Sequence, residues 1–595
     1  MKKNTQISKR IFTAENFFSL AFGLSVYTFF TFLYPYHLHY QEQFQLFLFT
    51  PDYFYTYWEK PGGFCDYTGN FLTQFYFYAF IGSFIIAVLL TMLQRIIWSV
   101  SLKIGAGPAF VPLSFVPSVL YWSLLCDESY LMGGLAAFVL VAAFIWLYLL
   151  MNRVVTRVIM SISVIPVLYW LTGGVFILFP AFIMLRESIR KQFKPVLLIT
   201  FSAIMILLSA ALPLLAKQLS VQYPLFKFFS GVNYYRYPVM MPYPVGIAGI
   251  LILLIPFAAC FISKRIKRFT MSRVLIFQMA VLIPGTWFLL SNSTDLSKEE
   301  VMEYDFHTRM RHWDRILENA DKKSPLSPLS VVCLNLALAK HNLLGERMFH
   351  YYQNGMGGLL PDFARDFTIP CMTGEVYYHL GFINTAQRLA FESMEALPDY
   401  QKSVRSVMRL AETNLINGNY DLAGKYLRLL RKTFYYRNWA DHTLKIMQSE
   451  ESIEKHPEWG LLRKIRTKKD FLFSESEKEM MLGNLFIQNK ENRMAFEYLM
   501  ACCLLKKDIL HFMEYYPAGE LLYPVNVPES YQEALIYIWG LKHHDPTQNI
   551  PYPISNTVKV RVKKYAEVYT TQPEAESLLC KDFSDTFWYY LHYRN

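Results

Sequence analysis

Apolar residues run in long, nearly unbroken stretches through the first half of the chain and recur at helical spacing through the second. A run of about 20 apolar residues is what crosses a bilayer, because lipid gives open backbone groups no partners and a helix satisfies its own. The runs predict nine spans, at 16–36, 76–93, 108–126, 131–151, 158–171, 175–185, 195–216, 246–263 and 274–290. The fifth and sixth are short. Gly173 and Gly174 stand between them, where a tight helical turn fits; one long kinked helix is the alternative.

Charge divides the chain at the same place. Residues 1–291 hold 21 Lys and Arg against 8 Asp and Glu, so the basic excess belongs to the apolar half, while the remainder is near neutral. An excess confined to loops between apolar runs is a topology signal and points away from a nucleic-acid partner. With the N-terminus inside, 17 basic residues fall on inner segments, among them Lys2, Lys9, Arg95, Arg153, Arg157, Arg186, Lys191 and Lys267, and only Lys60, Lys217, Lys227 and Arg236 fall outside. A merged fifth and sixth span would put Arg153 and Arg157 across the membrane from the Arg186–Lys194 group, so the count favours a hairpin. Nine spans then leave the C-terminal half on the extracytoplasmic side. No cleavable signal peptide precedes the first span, whose apolar run continues into an aromatic loop.

The polar residues of this half gather in its outer loops. Glu42, Asp52, Glu59, Asp66, Asp127 and Glu128 are predicted outside, Glu15 and Glu187 inside. The loop 37–75 is long and rich in Phe, Tyr and Trp, which suits short interfacial helices. Its Pro61-Gly62-Gly63 and Gly69 call for turns on either side of Asp66. The loop 217–245 holds Lys227 and, within Asn233-Tyr234-Tyr235-Arg236, a cation among aromatics. Such a cation either clamps a lipid phosphate or snorkels to the headgroups. The spans carry almost no ionisable residue, which argues against an ion-coupled transporter.

Residues 292–595 read as all-helical. Ser297 with Glu300 fits a capping box opening a helix to about residue 321. Gly418-Asn419-Tyr420-Asp421-Leu422-Ala423 repeats Gly381-Phe382-Ile383-Asn384-Thr385-Ala386 at a spacing of 37 residues, with looser copies at 340–345 and 490–495. This pattern resembles the tetratricopeptide repeat, which implies stacked helix pairs and a protein or peptide partner on a concave surface. The aromatic run 585–590 is expected to dock on the rest. The eight cysteines show no metal-ligand spacing and read as small buried residues. His37-Leu38-His39 is a weak metal candidate, His543-His544 reads as a solvated pair in a loop, and no Walker, Rossmann, HExxH or GxSxG motif stands in a fitting context.

The predicted fold class is therefore all-α: a polytopic transmembrane bundle over 1–291 and an extracytoplasmic repeat-like domain over 292–595. Outer-loop acids above such a bundle, with a nearby Arg and an extracytoplasmic helical domain, resemble the C-type glycosyltransferases that use lipid-linked sugars. That resemblance implies a polyprenyl-phosphate-linked donor, Glu42 or Asp66 as the first-loop acid, Asp127 and Glu128 as the second-loop pair, Arg236 with Lys227 on the lipid phosphate, and a divalent cation as cofactor. The usual Asp-Glu directly after the first span is replaced here by His37-Leu38-His39-Tyr40-Gln41. The layout, with Phe71-Leu72-Thr73-Gln74 and the aromatic C-terminal end, is also similar to an uncharacterised family of bacterial multipass proteins, which implies an inner membrane facing a periplasm. A non-enzymatic scaffold recruiting periplasmic or translocon proteins is the competing reading.

Overall fold

A computed structural model of the chain describes residues 14–190, 192–219, 222–237, 242–265, 271–398, 401–468, 473–523, 526–543, 547 and 549–594. Lys2, Lys3, Lys9, Arg10, Lys191, Lys267, Arg268 and His544 lie outside the described residues. The described residues are helical and contain no strand; a single antiparallel bridge joins Tyr130 to Tyr235. The chain divides into two compact units, one of residues 1–296 with 432–435, the other of residues 297–431 with 436–595.

Among its described residues the first unit contains six helices long and apolar enough to cross a membrane: Glu15–Leu33, Ala79–Ile104, Val154–Arg190, Pro195–Leu219, Tyr243–Arg265 and Arg273–Ser293. Pro108–Leu124 and Met132–Tyr148 are shorter apolar helices. Large side chains such as Phe32, Phe84, Leu207, Phe277 and Trp287 are exposed on these helices. An apolar exterior of this kind suits lipid and would aggregate in water.

Val154–Arg190 is folded back on itself. Its two arms, Val154–Thr172 and Leu178–Arg190, are joined by a 3-10 turn over Gly173–Ile177. Arg157 at the start of the first arm donates to Glu187 near the end of the second at 2.7 Å. On a straight helix 30 residues span about 45 Å, so only a reversal brings these groups together. Tyr148 donates to the same carboxylate oxygen, Arg157 also reaches Gln192, and the pair is fully enclosed. An enclosed cation and anion persist in an apolar bundle only by compensating each other.

The loop 37–75 folds into three short helices, Pro35–Gln43, Pro51–Trp58 and Gly63–Thr73. Aromatic rings knit the last two together: Tyr67 packs on Phe54 at 5.1 Å and Phe54 stacks on Trp58 at 5.6 Å. Gly69 lets Gly63–Thr73 lie directly on Met132–Tyr148, since a Cβ there would sit 2.4 Å from the Gly133 nitrogen.

In the second unit the helix expected over 297–321 is broken. Arg311, at φ +58°, separates Leu296–Arg309 from Trp313–Lys322, and Ser297 lies within the first turn instead of ahead of it. The repeated glycine-turn motifs do mark helix pairs. Gly381 and Gly418, both left-handed, join Thr368–Leu380 to Ile383–Glu395 and Val404–Asn417 to Tyr420–Leu430. The looser copies fall at the turns before Leu344–Arg347 and Arg493–Leu505. Across these pairs runs an ionic ladder, buried at Asp305, Arg405, Glu375 and Glu412 and open to solvent at Arg311: Asp305 to Arg405, Arg405 and Arg409 to Glu375, Arg409 and Arg311 to Glu412, and Arg311 to Glu458. The C-terminal aromatics dock as expected. Trp588 is buried and donates to the Glu533 carbonyl, and the Phe587 N–H donates to the Glu533 carboxylate. All eight cysteines are free thiols, seven of them buried.

Two outcomes follow from these pairings. Single cysteines at Asn152 and Lys194 are expected to label from the same face of oriented vesicles; labelling from opposite faces would refute the hairpin. Burial pushes the Glu375 carboxyl up, but Arg409 and Arg405 overcome it and hold the group at about 2. Its stabilisation is then complete above the ordinary carboxylate range and is lost as pH falls toward 2. Glu375→Gln leaves Arg405 with Asp305 and Arg409 with Glu412 as their remaining carboxylates, and is expected to cost about 1–3 kcal/mol at neutral pH, read from thermal unfolding of the second unit's tryptophans.

Candidate functional site

Three loops of the first unit converge, and a four-residue segment pins them. The Asn233 N–H and side-chain amide donate to the two oxygens of Asp66 at 2.9 and 3.0 Å. Two residues on, the Tyr130–Tyr235 bridge is closed by Leu131 N–H to the Tyr234 carbonyl and Arg236 N–H to the Ser129 carbonyl, both at 2.8 Å. Segment 233–236 thereby ties the helix carrying Asp66 to the turn carrying Asp127 and Glu128. Gln41 completes the tie from the loop's first helix, its amide donating to the carbonyls of Asp127, Glu128 and Tyr130 at 3.1–3.3 Å.

The pin depends on glycine. Gly62, Gly173 and Gly231 all have positive φ and meet backbone to backbone. A Cβ on Gly62 would lie 2.7 Å from the Val232 nitrogen, and one on Gly231 would lie 2.4 Å from the Gly173 Cα. The Gly62 N–H donates to the Trp170 carbonyl at 2.8 Å. The turn that reverses the Val154–Arg190 hairpin is thus the surface on which the two loops are seated.

The predicted site residues separate into two groups. Asp66 is 6% exposed and paired with Lys60 at 2.9 Å; Lys227 donates to the Asn233 side chain at 2.9 Å. Burial raises the Asp66 carboxyl above its ordinary value, while Lys60 and the Asn233 N–H pull it back down. This carboxylate and Lys227 are held by neighbours that join loops. The second group is Arg236, Glu42, Asp127 and Glu128. Asp127 caps its own turn by accepting the Ser129 N–H at 2.8 Å, and Glu42 is buried on the same short helix as Gln41. Arg236 is 6% exposed, and its guanidinium lies flat on the Phe44 ring at 3.6 Å. Its Nε has no hydrogen-bond acceptor. Burial lowers it to about 10, against the fields of Tyr40, Tyr237 and Glu128. A cation so enclosed, resting on a ring face with Nε unsatisfied, keeps unused hydrogen-bonding capacity.

Phe44, Gln41 and Asn233 were not legible as site residues. The Asn233-Tyr234-Tyr235-Arg236 string pointed to the segment but not to the Asp66 bond. His37 is buried and stacked on Tyr34 at 4.9 Å. Among the described residues the loop carboxylates do not assemble a three-ligand set, so the divalent cation implied by resemblance has no evident seat there. The group that does assemble is Glu479, Asp508 and His511 in the second unit. Its ligand atoms already serve one another, and Lys506 bonds Glu479 at 3.3 Å.

If Asp66 acts as a pin, Asp66→Ala removes an acceptor from the Lys60 ammonium and from the Asn233 N–H and is expected to cost about 1–3 kcal/mol in detergent unfolding. Asp66→Asn still accepts from Asn233 and is expected to cost less. Because burial raises the native carboxyl, this group's contribution to stability declines as pH rises through its raised value. Asp66→Asn should flatten that dependence. Equal melting of both variants with the parent would remove the pin.

No curated protein and no solved structure matches the chain. One family does, over residues 9–594, nearly the whole length. The chain belongs to DUF6057, a family of unknown function.

Proposed function

We propose that the protein is a nine-span membrane protein of a bacterial inner membrane, with its N-terminus cytoplasmic and its helical unit periplasmic. Its converged outer loops hold a polyprenyl-phosphate-linked donor for transfer in the manner of the C-type glycosyltransferases. The observation that carries this reading is Arg236: a buried guanidinium seated on Phe44 with an unsatisfied Nε, beside Glu128 and among loops that three glycines lock in place. The guanidinium fork matches a phosphate and would stabilise the charge that develops on it as the sugar leaves. Glu42 and Glu128 are the acids assigned to activate an acceptor hydroxyl. Asp66 and Lys227 are assigned to position the loops.

A scaffold is the second reading. The helix pairs with left-handed Gly381 and Gly418 resemble tetratricopeptide hairpins and favour it. In that reading the partner meets a surface other than the face carrying Arg405, Arg409, Glu375 and Glu412, because these residues are buried against the chain's own Asp305, Arg311 and Glu458.

Native mass spectrometry of the detergent-purified full chain separates the two. The transferase reading expects a co-purifying polyprenyl-phosphate lipid whose occupancy falls about 10–100-fold in Arg236→Gln, as loss of a charge-assisted bond of about 1.5–3 kcal/mol requires. Glu42→Gln and Glu128→Gln should keep the lipid and lose transfer. A chain that carries no such lipid, or an Arg236→Gln variant that keeps it, sinks the transferase; a stoichiometric protein in its place supports the scaffold.

A further inference from the structure

Glu479, Asp508 and His511 are brought together by three successive stretches of the second unit. Glu479 stands in the first turn of Lys478–Gln488. The helix Arg493–Leu505 returns beside it and ends at Lys506, which bonds the Glu479 carboxylate. Lys507, left-handed at φ +59°, then turns the chain, and the Asp508 N–H donates to the Cys503 carbonyl at 2.8 Å. Asp508 caps the next helix, Ile509–Gly519, by accepting the His511 N–H at 3.1 Å. The turn thereby holds Asp508 and His511 against the start of the Glu479 helix.

The polar atoms of the three side chains divide into an inner and an outer set. Glu479 Oε1 lies 3.1 Å and Asp508 Oδ2 2.7 Å from His511 Nδ1. The other two oxygens are tied outward: Glu479 Oε2 accepts from Lys506 at 3.3 Å, and Asp508 Oδ1 accepts the His511 N–H. Outward bonds of this kind fix the direction in which a metal ligand points. Nδ1 carries at most one proton, yet two carboxylate oxygens converge on it. One proton serves one oxygen well; a divalent cation serves both oxygens and the nitrogen. The inner atoms all lie within 4.8 Å of one another. Tetrahedral zinc with ligands at about 2.0 Å sets its ligand atoms about 3.3 Å apart, so small side-chain shifts complete the geometry.

Charge and access agree with this geometry. Two carboxylates meet the Lys506 ammonium, while the Lys507 ammonium is taken by the Arg594 carbonyl, so negative charge is in excess at the inner atoms. The side chain of His511 is 48% exposed and that of Glu479 only 11%, so the set opens to solvent on the imidazole side. The His511 ring stacks on Tyr515 at 5.8 Å, which restricts its tilt. An imidazole with two carboxylates suits zinc, whereas Mg²⁺ and Ca²⁺ bind through oxygen.

We propose that Glu479, Asp508 and His511 form a zinc-binding site. Glu479 Oε1, Asp508 Oδ2 and His511 Nδ1 are the protein ligands, and water takes the fourth position. The metal replaces the Nδ1 proton and cross-links Lys478–Gln488 to Ile509–Gly519. The site lies in the second unit and does not depend on the lipid reading of Arg236.

The test uses the detergent-purified full chain, stripped with chelator and carrying no affinity tag, titrated with Zn²⁺ by calorimetry and with Co²⁺ by visible absorption. Saturable binding is expected, with the strong visible band of four-coordinate Co²⁺, and Zn²⁺ is expected to raise the unfolding temperature. His511→Ala, Asp508→Asn and Glu479→Gln are each expected to weaken Zn²⁺ binding by about 10-fold or more. Asp508→Asn keeps a side-chain oxygen to cap the helix, so its loss of binding reads the metal and not the fold. His543→Ala, at an exposed histidine elsewhere in the unit, is expected to leave the titration unchanged. The absence of saturable binding, binding indifferent to the three ligand substitutions, or a Co²⁺ band no stronger than that of the hexaaqua ion overturns the proposal.

Discussion

The paired hydrogen bonds from Asn233 to Asp66 are the interaction on which the first unit's loops depend. They join residues 167 positions apart, so no local propensity produces them. Around them three glycine backbones touch, the helix of Asp66 lies against Met132–Tyr148, and the Tyr130–Tyr235 bridge closes. Burying the carboxylate opposes its ionisation, and Lys60 and Asn233 offset only part of that cost. A charge kept under those terms defines the arrangement of the loops more than it stabilises them.

That arrangement gives Arg236 its character. Segment 233–236 is anchored at one end by Asp66 and at the other by the Ser129 carbonyl, so the guanidinium between the loops cannot swing to open solvent. Phe44 covers one face of the guanidinium and leaves its in-plane N–H groups uncovered by that ring. A flexible surface arginine would find water; this one is held in a buried seat with its Nε unsatisfied. In the second unit the opposite principle operates. Arg405, Arg409 and Arg311 are each matched to carboxylates.

The amino-acid sequence by itself determined the division near residue 291, the all-helical content, the reversal at Gly173-Gly174 and the turns at Gly381 and Gly418. Each rests on a local or additive property: apolar run length set by bilayer thickness, charge beside a span, or a left-handed backbone that glycine alone adopts freely. It also singled out Asp66 and Arg236, because ionisable residues among aromatics at the ends of apolar runs are conspicuous. Tertiary structure alone decided what those residues do. It paired Asp66 with Lys60 and Asn233, left Arg236 on Phe44, broke the helix at Arg311, and aligned Asn384, Asn417 and Arg466 into one relay. A hydrogen bond or an ion pair depends on distance and direction between groups far apart in the chain, and neither is encoded in the spacing of residues along it.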